Sequence, residues 1–414
     1  MGSAVDEMLD RLGPSGVAIR AAEESDAIDG VLPSAVVAPA DTDGVAAVLR
    51  IAAERGCAVS ARGTGTKLDW GLPPARLDVL IDTSELNRIV DHAAGDLVVQ
   101  VQAGLRLDVL QRALAGSRQR LALDPLTNPG ADGLGTVGGM VATAADGPLR
   151  FAYGATRDLI IGITVVRADG VVARAGGKVV KNVAGYDLGK LMTGSWGTLG
   201  VITEAIFRLH PLPEEARWIV HATPDAPQAA RAAANSQAVP AAVEIDHPPG
   251  GGTTVAVLVE GVSAGVDARA RTITEIIGGG SVRDAAPAWW GRAPWTAGGT
   301  ALLLTSTLTG VERVLATFAE LPLPAAVRGS AGVGKLYAGF APDADVGVLT
   351  SCVRKLRERA PQWGGDVVVL RAPAEVRAAL DSWGPVSGLS LMRRVKHEFD
   401  PDGRLSPGRF VGGI

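Results

Sequence analysis

Cysteine is scarce in this 414-residue chain: there are two, Cys57 and Cys352, far apart and not in a CxxC pair. That scarcity fits a reducing compartment and argues against structural zinc or an iron–sulfur cluster held by this chain. A surplus of positive charge is missing as well, with 40 Lys and Arg against 44 Asp and Glu and a formal net charge of −4. Without a basic footprint there is nothing to grip a phosphate backbone, so nucleic acid is not an expected partner. No apolar run approaches the roughly 18 residues needed to span a bilayer. The first residues lack the basic start and apolar stretch of a signal peptide. The five histidines, His92, His210, His221, His247 and His397, form no metal-ligand spacing, so no metal is expected. The expectation is a soluble cytoplasmic protein, and its length allows two or three domains with buried cores.

Glycine, by contrast, is abundant, at 53 residues. Many fall between Gly63 and Gly200, inside segments that otherwise read as folded, where backbone must bend sharply or be approached closely. A helix is expected over 41–55, capped by Asp41 or Thr42 and stopped by Gly56. A short strand over 58–61 then runs into Arg62-Gly-Thr-Gly-Thr66. Strands are expected over 77–81 and 97–101, a helix over 106–114, and one short helix within 136–147. The runs 161–166 and 171–175 flank Ala168-Asp-Gly170, a hairpin signal. A strand near 201–207 closes this region, and Pro211 and Pro213 mark a boundary. Beyond residue 214, strand candidates (218–221, 242–245, 254–259, 301–304 and 366–370) alternate with helix candidates (227–235, 266–276, 311–320 and 346–359). That alternation predicts a sheet with helices on one face. The last helix ends in Lys396-His-Glu-Phe399, followed by turn signals at Asp400-Pro-Asp-Gly403 and Ser406-Pro-Gly408.

Three glycine loops compete as phosphate binders. Gly133-Leu-Gly135-Thr-Val-Gly138 matches G-x-G-x-x-G, but a Pro/Gly/Asp-rich loop precedes it where the dinucleotide fingerprint needs a strand. Gly329-Ser-Ala-Gly-Val-Gly-Lys335-Leu336 is nearly a Walker A loop, yet Leu336 replaces the hydroxyl residue that holds magnesium. The third, Arg62–Thr66, follows a strand and offers backbone N–H groups and two hydroxyls, a nest suited to an anion. Together with Thr136-Val-Gly-Gly139 it could hold the two phosphates of a dinucleotide.

These two segments, with Tyr153-Gly154-Ala-Thr-Arg-Asp158 and Gly194-Ser-Trp-Gly-Thr-Leu-Gly-Val-Ile-Thr203, resemble the FAD-binding domain of the vanillyl-alcohol oxidase/PCMH flavoprotein superfamily. Lys181-Asn-Val-Ala-Gly-Tyr-Asp187, preceded by Gly177, and the ending Phe399-Asp-Pro…Ser406-Pro-Gly-Arg409 are similar to the FAD-binding E subunit of bacterial glycolate oxidase, a relative of D-lactate dehydrogenases. The resemblance implies an α+β fold: a PCMH-type FAD-binding domain over 1–213, a smaller α+β cap over 214–385, and a segment over 386–414 returning to the first domain. It implies that Arg62, Gly63, Thr64, Gly65 and Thr66 wrap the pyrophosphate and that Thr136, Gly138 and Gly139 line its other side. Gly197, Gly200, Val201 and Ile202 would contact the cofactor through backbone atoms. Thr66 stands where relatives with covalent flavin carry histidine, so the FAD is expected to be non-covalent. Two departures touch the ring's surroundings: Ser406 replaces a common Asn, and Trp196 a common Glu.

Oxidation of a 2-hydroxy acid on flavin needs a base for the hydroxyl proton and a cation for the carboxylate. D-lactate dehydrogenase relatives carry a histidine-bearing Gly-Asp-Gly-Asn segment in the middle domain, whereas the matching stretch here, Gly332-Val-Gly-Lys-Leu-Tyr337, has no Asp, Asn or His. The catalytic candidates left are Lys335, Tyr337 and His397, with Arg371 for a carboxylate; a packing or solvated role stands beside each. Lys178, Lys181 and Tyr186 are open between flavin-side and ordinary roles, and Trp289, Trp290 and Trp295 between core and a partner surface. The reading that follows is an FAD-binding subunit of a glycolate oxidase-like complex, beside a related catalytic flavoprotein subunit and an iron–sulfur subunit, peripheral to the membrane only through those partners. A self-sufficient FAD oxidoreductase on a small hydroxy acid or alcohol, and a cofactor-free scaffold of the same fold, are the alternatives.

Overall fold

A computed structural model describes residues 4–13, 16–131, 133–178 and 187–414. Its α+β architecture rests on three main sheets. The first has four strands in the spatial order Ala18–Ala21, Ala35–Ala38, Val79–Asp82, Val59–Arg62, the last three parallel. The helix Thr42–Arg55 connects two of them. Asp41 caps it by accepting from the Gly44 amide at 2.8 Å, and Gly56 ends it in the left-handed region at φ 65°. Its Val45, Val48, Leu49 and Ala52 are buried against Val37, Val79 and Ile81 of the sheet. Only glycine takes such a terminal conformation without a Cβ penalty.

The second sheet is antiparallel, in the order Ile89–Ala93, Val98–Gln102, Val201–Arg208, Ile160–Val166, Val172–Gly176. Val166 and Val201 also join the core of the first sheet, which ties the two together. The helix Val137–Thr143 starts on Thr136, whose Oγ1 accepts from the Gly139 amide at 3.3 Å.

All eight strands of the third sheet lie between residues 215 and 371, and all pairs are antiparallel. The helices Ala226–Ala234, Ser263–Ile276, Val311–Ala319 and Val346–Trp363 bury their apolar stripes on one face, as the alternating pattern predicts. The other face meets the first two sheets. There Arg120 and Tyr153 grip Glu260, Lys335 pairs with Asp146, and Arg377 pairs with Asp29 through two contacts of 2.8 Å.

The near-Walker segment is a hairpin. Gly329 and Ser330 end the strand Ala326–Ser330, Lys335 opens Lys335–Phe340, and Gly329 pairs with Leu336 across it. Its small residues hide the period-2 pattern that marks a strand. The helix Ala4–Leu12 and the strands Ala18–Ala21 and Ala35–Ala38 likewise carry too short a pattern to stand out.

After the helix Leu389–Phe399 the chain runs beside the first sheet. The Val59 amide donates to Arg404 O, and the Ser406 amide donates to Val59 O, both at 2.8 Å. Lys396 fastens this return. It is buried, and its Nζ donates to Asp400 (2.7 Å), Thr198 O (2.8 Å) and Leu405 O (3.0 Å). Lys396→Met strands the buried Asp400 carboxylate and is expected to cost about 3–5 kcal/mol of unfolding free energy. Urea titration of both proteins measures it, and a loss under about 1 kcal/mol would contradict the role given to this lysine.

Candidate functional site

The site begins where the strand Val59–Arg62 turns into the loop 63–66. A Cβ built on Gly63 would lie 2.2 Å from Thr136 Oγ1, and one on Gly138 would lie 2.9 Å from the Ala103 methyl. The loop, the helix start and the neighbouring sheet are thus as close as backbone allows, and bare glycines make the approach possible. Gly65, at φ 79°, bends the loop, while the Asn128 amide braces it by donating to Thr66 O at 2.7 Å.

Between these segments runs a cleft of about 120 Å³. All twelve residues expected to meet the cofactor line it. Arg62, Gly63, Thr64, Gly65 and Thr66 form one wall, Thr136, Gly138 and Gly139 a second, and Gly197, Gly200, Val201 and Ile202 a third. Ser60, Lys67, Leu68, Trp196, Ser406 and Arg409 line it as well. Of these, Lys67 went unnoticed in the sequence, and its only signal was its place directly after the loop. Trp196 and Ser406 hold positive φ, 58° and 42°. Strained non-glycine backbone of this kind persists where the surroundings enforce it, often at functional sites.

Three cations line the cleft, and they are occupied differently. The Arg62 guanidinium is taken by two carboxylates, Asp26 and Asp82, both at 2.8 Å. Asp26 also takes two hydrogen bonds from Arg20, which with Arg62 holds its carboxyl far below the usual carboxylate range. Arg409 donates to Leu68 O (2.8 Å) and Trp70 O (2.7 Å), and burial lowers it to about 10. Lys67 has its Nζ 5.8 Å from the Trp70 ring centre, and burial lowers it to about 8.

The catalytic candidates lie elsewhere. Burial works against the charge of Lys335, but Asp146 outweighs it and holds the ammonium above its ordinary value. Tyr337 is buried among Trp70, Trp295 and Leu370, and burial pushes its phenol up. His397 is exposed on the helix Leu389–Phe399 and does not line the cleft. Arg371 is paired with Asp69 at 2.8 Å. Lys178 is exposed and paired with Asp91, while Lys181 and Tyr186 lie outside the described residues. Trp290 packs on Trp218 and Trp289, and Trp295 belongs to the cluster around Tyr337. Among the described residues no group of three or more His, Cys, Asp or Glu is placed to hold a metal ion.

A long cleft with hydroxyls and bare glycines along one stretch and Trp196, Leu68 and Ile202 along others fits a dinucleotide carrying a flat ring. Residues 33–176 match the family model described as an FAD binding domain. The fold matches p-cresol methylhydroxylase, solved with substrate bound, at a TM-score of 0.73 over 98% of this chain and 96% of that one, with 18% identity. Residues 33–176 are thus an FAD binding domain, with FAD as the cofactor, and the chain shares its fold with p-cresol methylhydroxylase. Its sequence is 37% identical over 190 residues to glycolate oxidase subunit GlcD of Bacillus subtilis (strain 168), covering 46% of this chain and 39% of that protein. It is 40% identical over 125 residues to glycolate oxidase subunit GlcE of Escherichia coli (strain K12), covering 30% and 35%. The chain spans about two-fifths of the length of the curated relatives it matches, and it is related to glycolate oxidase subunits.

Two outcomes test this geometry. Gly63→Ala must displace Thr136 and break its cap, so flavin fluorescence titration should show FAD affinity lowered at least roughly tenfold at unchanged helix content. Asp26 is depressed in the folded chain, so its stabilisation is complete above about pH 4 and fades as pH falls towards its folded value. Acid unfolding followed by circular dichroism should therefore lose part of its pH dependence in Asp26→Asn, which is also less stable at neutral pH.

Proposed function

We propose that this chain is the FAD-carrying, electron-transferring subunit of a glycolate oxidase-like 2-hydroxy-acid dehydrogenase. Its coarser level is an FAD-dependent oxidoreductase acting on small 2-hydroxy acids, which the relatives support. Its finer level is a subunit working beside a related catalytic flavoprotein and an iron–sulfur protein that takes the electrons. Bound FAD supplies a two-electron acceptor at its ring. Gly63, Thr64, Gly65, Thr66, Thr136, Gly138 and Gly139 would hold its diphosphate region, with Arg62 shaping the loop through Asp26 and Asp82. Gly197, Gly200, Val201 and Ile202 would pack along it, and the tail residues Ser406 and Arg409 would close the cleft. No helix among the described residues is long and apolar enough to cross a membrane; the reading puts the chain in the cytoplasm, at the membrane only through partner subunits.

One observation carries the subunit level: a wall of aromatic rings between the cleft and the eight-stranded sheet. Trp196 lines the cleft and meets Trp70 at 6.4 Å between ring centres. Trp70 meets Trp295 at 6.3 Å, and Trp295 meets Tyr337 on the sheet at 5.9 Å. The space on that side is filled with rings. The groups nearby that could serve a hydroxy acid are engaged: Lys335 with Asp146 and Arg371 with Asp69, while burial disfavours loss of the Tyr337 proton. The feature favouring a self-sufficient enzyme is a second cavity of about 960 Å³ beside the loop, lined by Asn128 and Arg371 among others.

Anaerobic addition of glycolate or D-lactate to the purified, FAD-loaded chain is expected to leave its visible flavin absorption oxidised, while dithionite bleaches it. Bleaching by either acid would transfer the reading to the self-sufficient oxidoreductase. A chain that stays colourless in added FAD would point to the cofactor-free scaffold.

A further inference from the structure

Gly135, at φ 90°, lies against the loop, and the space where its side chain would be is ringed by donors. A Cβ built there would sit 2.8 Å from Thr66 Oγ1, 3.4 Å from Lys67 Nζ and 4.0 Å from Thr64 Oγ1. Lys67 Nζ is itself 3.4 Å from Thr66 Oγ1. An ammonium and two hydroxyls, all from one loop, therefore cluster beside bare backbone, and all three side chains line the cleft. Such a trio suits an anion with several oxygens, because each donor can take a different one.

The allocation of charge around it points the same way. Arg62 is spent on Asp26 and Asp82, and Arg409 on two carbonyls. Lys67 makes no ion pair among the described residues. Asp69, the carboxylate two positions on, is taken by Arg371 from the eight-stranded sheet. A partly desolvated cation without an ion pair is costly, and a bound anion offsets that cost. Burial lowers Lys67, and the nearby charge of Asp69 offsets this only in part.

We propose that Lys67, with the hydroxyls of Thr64 and Thr66, forms the seat for the diphosphate of FAD, and that Arg62 is a structural residue which shapes the loop without contacting the anion. This rests on the FAD reading and changes which side chain supplies the charge. The loop hydroxyls and backbone orient the oxygens, and Lys67 neutralises them.

The test uses the full chain freed of flavin, titrated with three probes: FAD, ADP (the diphosphate without the flavin) and riboflavin (the flavin without phosphate). Lys67→Gln is expected to weaken FAD and ADP roughly 10- to 100-fold, the usual worth of a charge-assisted hydrogen bond. Riboflavin affinity should change less than about twofold, and the fall of FAD affinity with added salt should flatten. Lys67→Arg, which keeps the charge, should recover most of the lost affinity and shows that the loop still folds. Equal FAD binding by wild type and Lys67→Gln would overturn the assignment while leaving the FAD site intact. An equal loss for riboflavin would overturn it too, by giving the amine to the ring. Wild-type protein binding neither FAD nor ADP would sink the FAD reading itself.

Discussion

The close approach of Gly63 to Thr136 sets the geometry on which the rest of the site depends. One missing side chain lets a loop from the first sheet lie against the start of the helix Val137–Thr143, and Thr136 then serves both as helix cap and as cleft wall. The helix is held on its other side by the contact of Gly138 with Ala103. Sheet, loop and helix are therefore positioned by steric contact at two glycines. A narrow slot between rigid elements is what a long, flat cofactor requires, since ordering the walls beforehand lowers the cost of binding.

Charge is distributed on a second principle. Most of the buried cations are committed to the architecture. Arg62 shapes its loop through two aspartates, Lys396 fastens the returning chain, and Arg377 and Arg120 join the third sheet to the first two. Commitments of this kind give orientation more than net stability, because each desolvated charge needs its partner to break even. Against that background a lysine that lines the cleft without an ion pair is unusual.

Much of the candidate site was legible in the sequence because its parts are local. Arg62–Thr66 follows a strand, Thr136–Gly139 opens a helix, and each carries its glycines in a short run. Helix 42–55 was equally plain from its cap, its apolar spacing and its terminal glycine. What stayed hidden was assembled from distant residues. Trp70, Trp196, Trp295 and Tyr337 meet only after three sheets have packed. The hairpin around Gly329 and Gly334 imitated a nucleotide loop because small residues satisfy tight turns and phosphate cradles alike. The engagement of Arg62 with Asp26 and Asp82, 36 and 20 residues away, reversed the natural assumption that an arginine in a phosphate loop serves the phosphate.

The return of the chain after residue 399 bears on how the molecule comes into being. Ser406 bonds to Ser60, 346 positions earlier, and it lines the cleft together with Arg409. Synthesis runs from the amino end, so every strand of the eight-stranded sheet emerges before these residues do. The nascent first two sheets must wait with one side of the slot open while the intervening structure is made. Closing so long a loop is entropically slow. One side of the slot is therefore closed by residues made only after the whole third sheet.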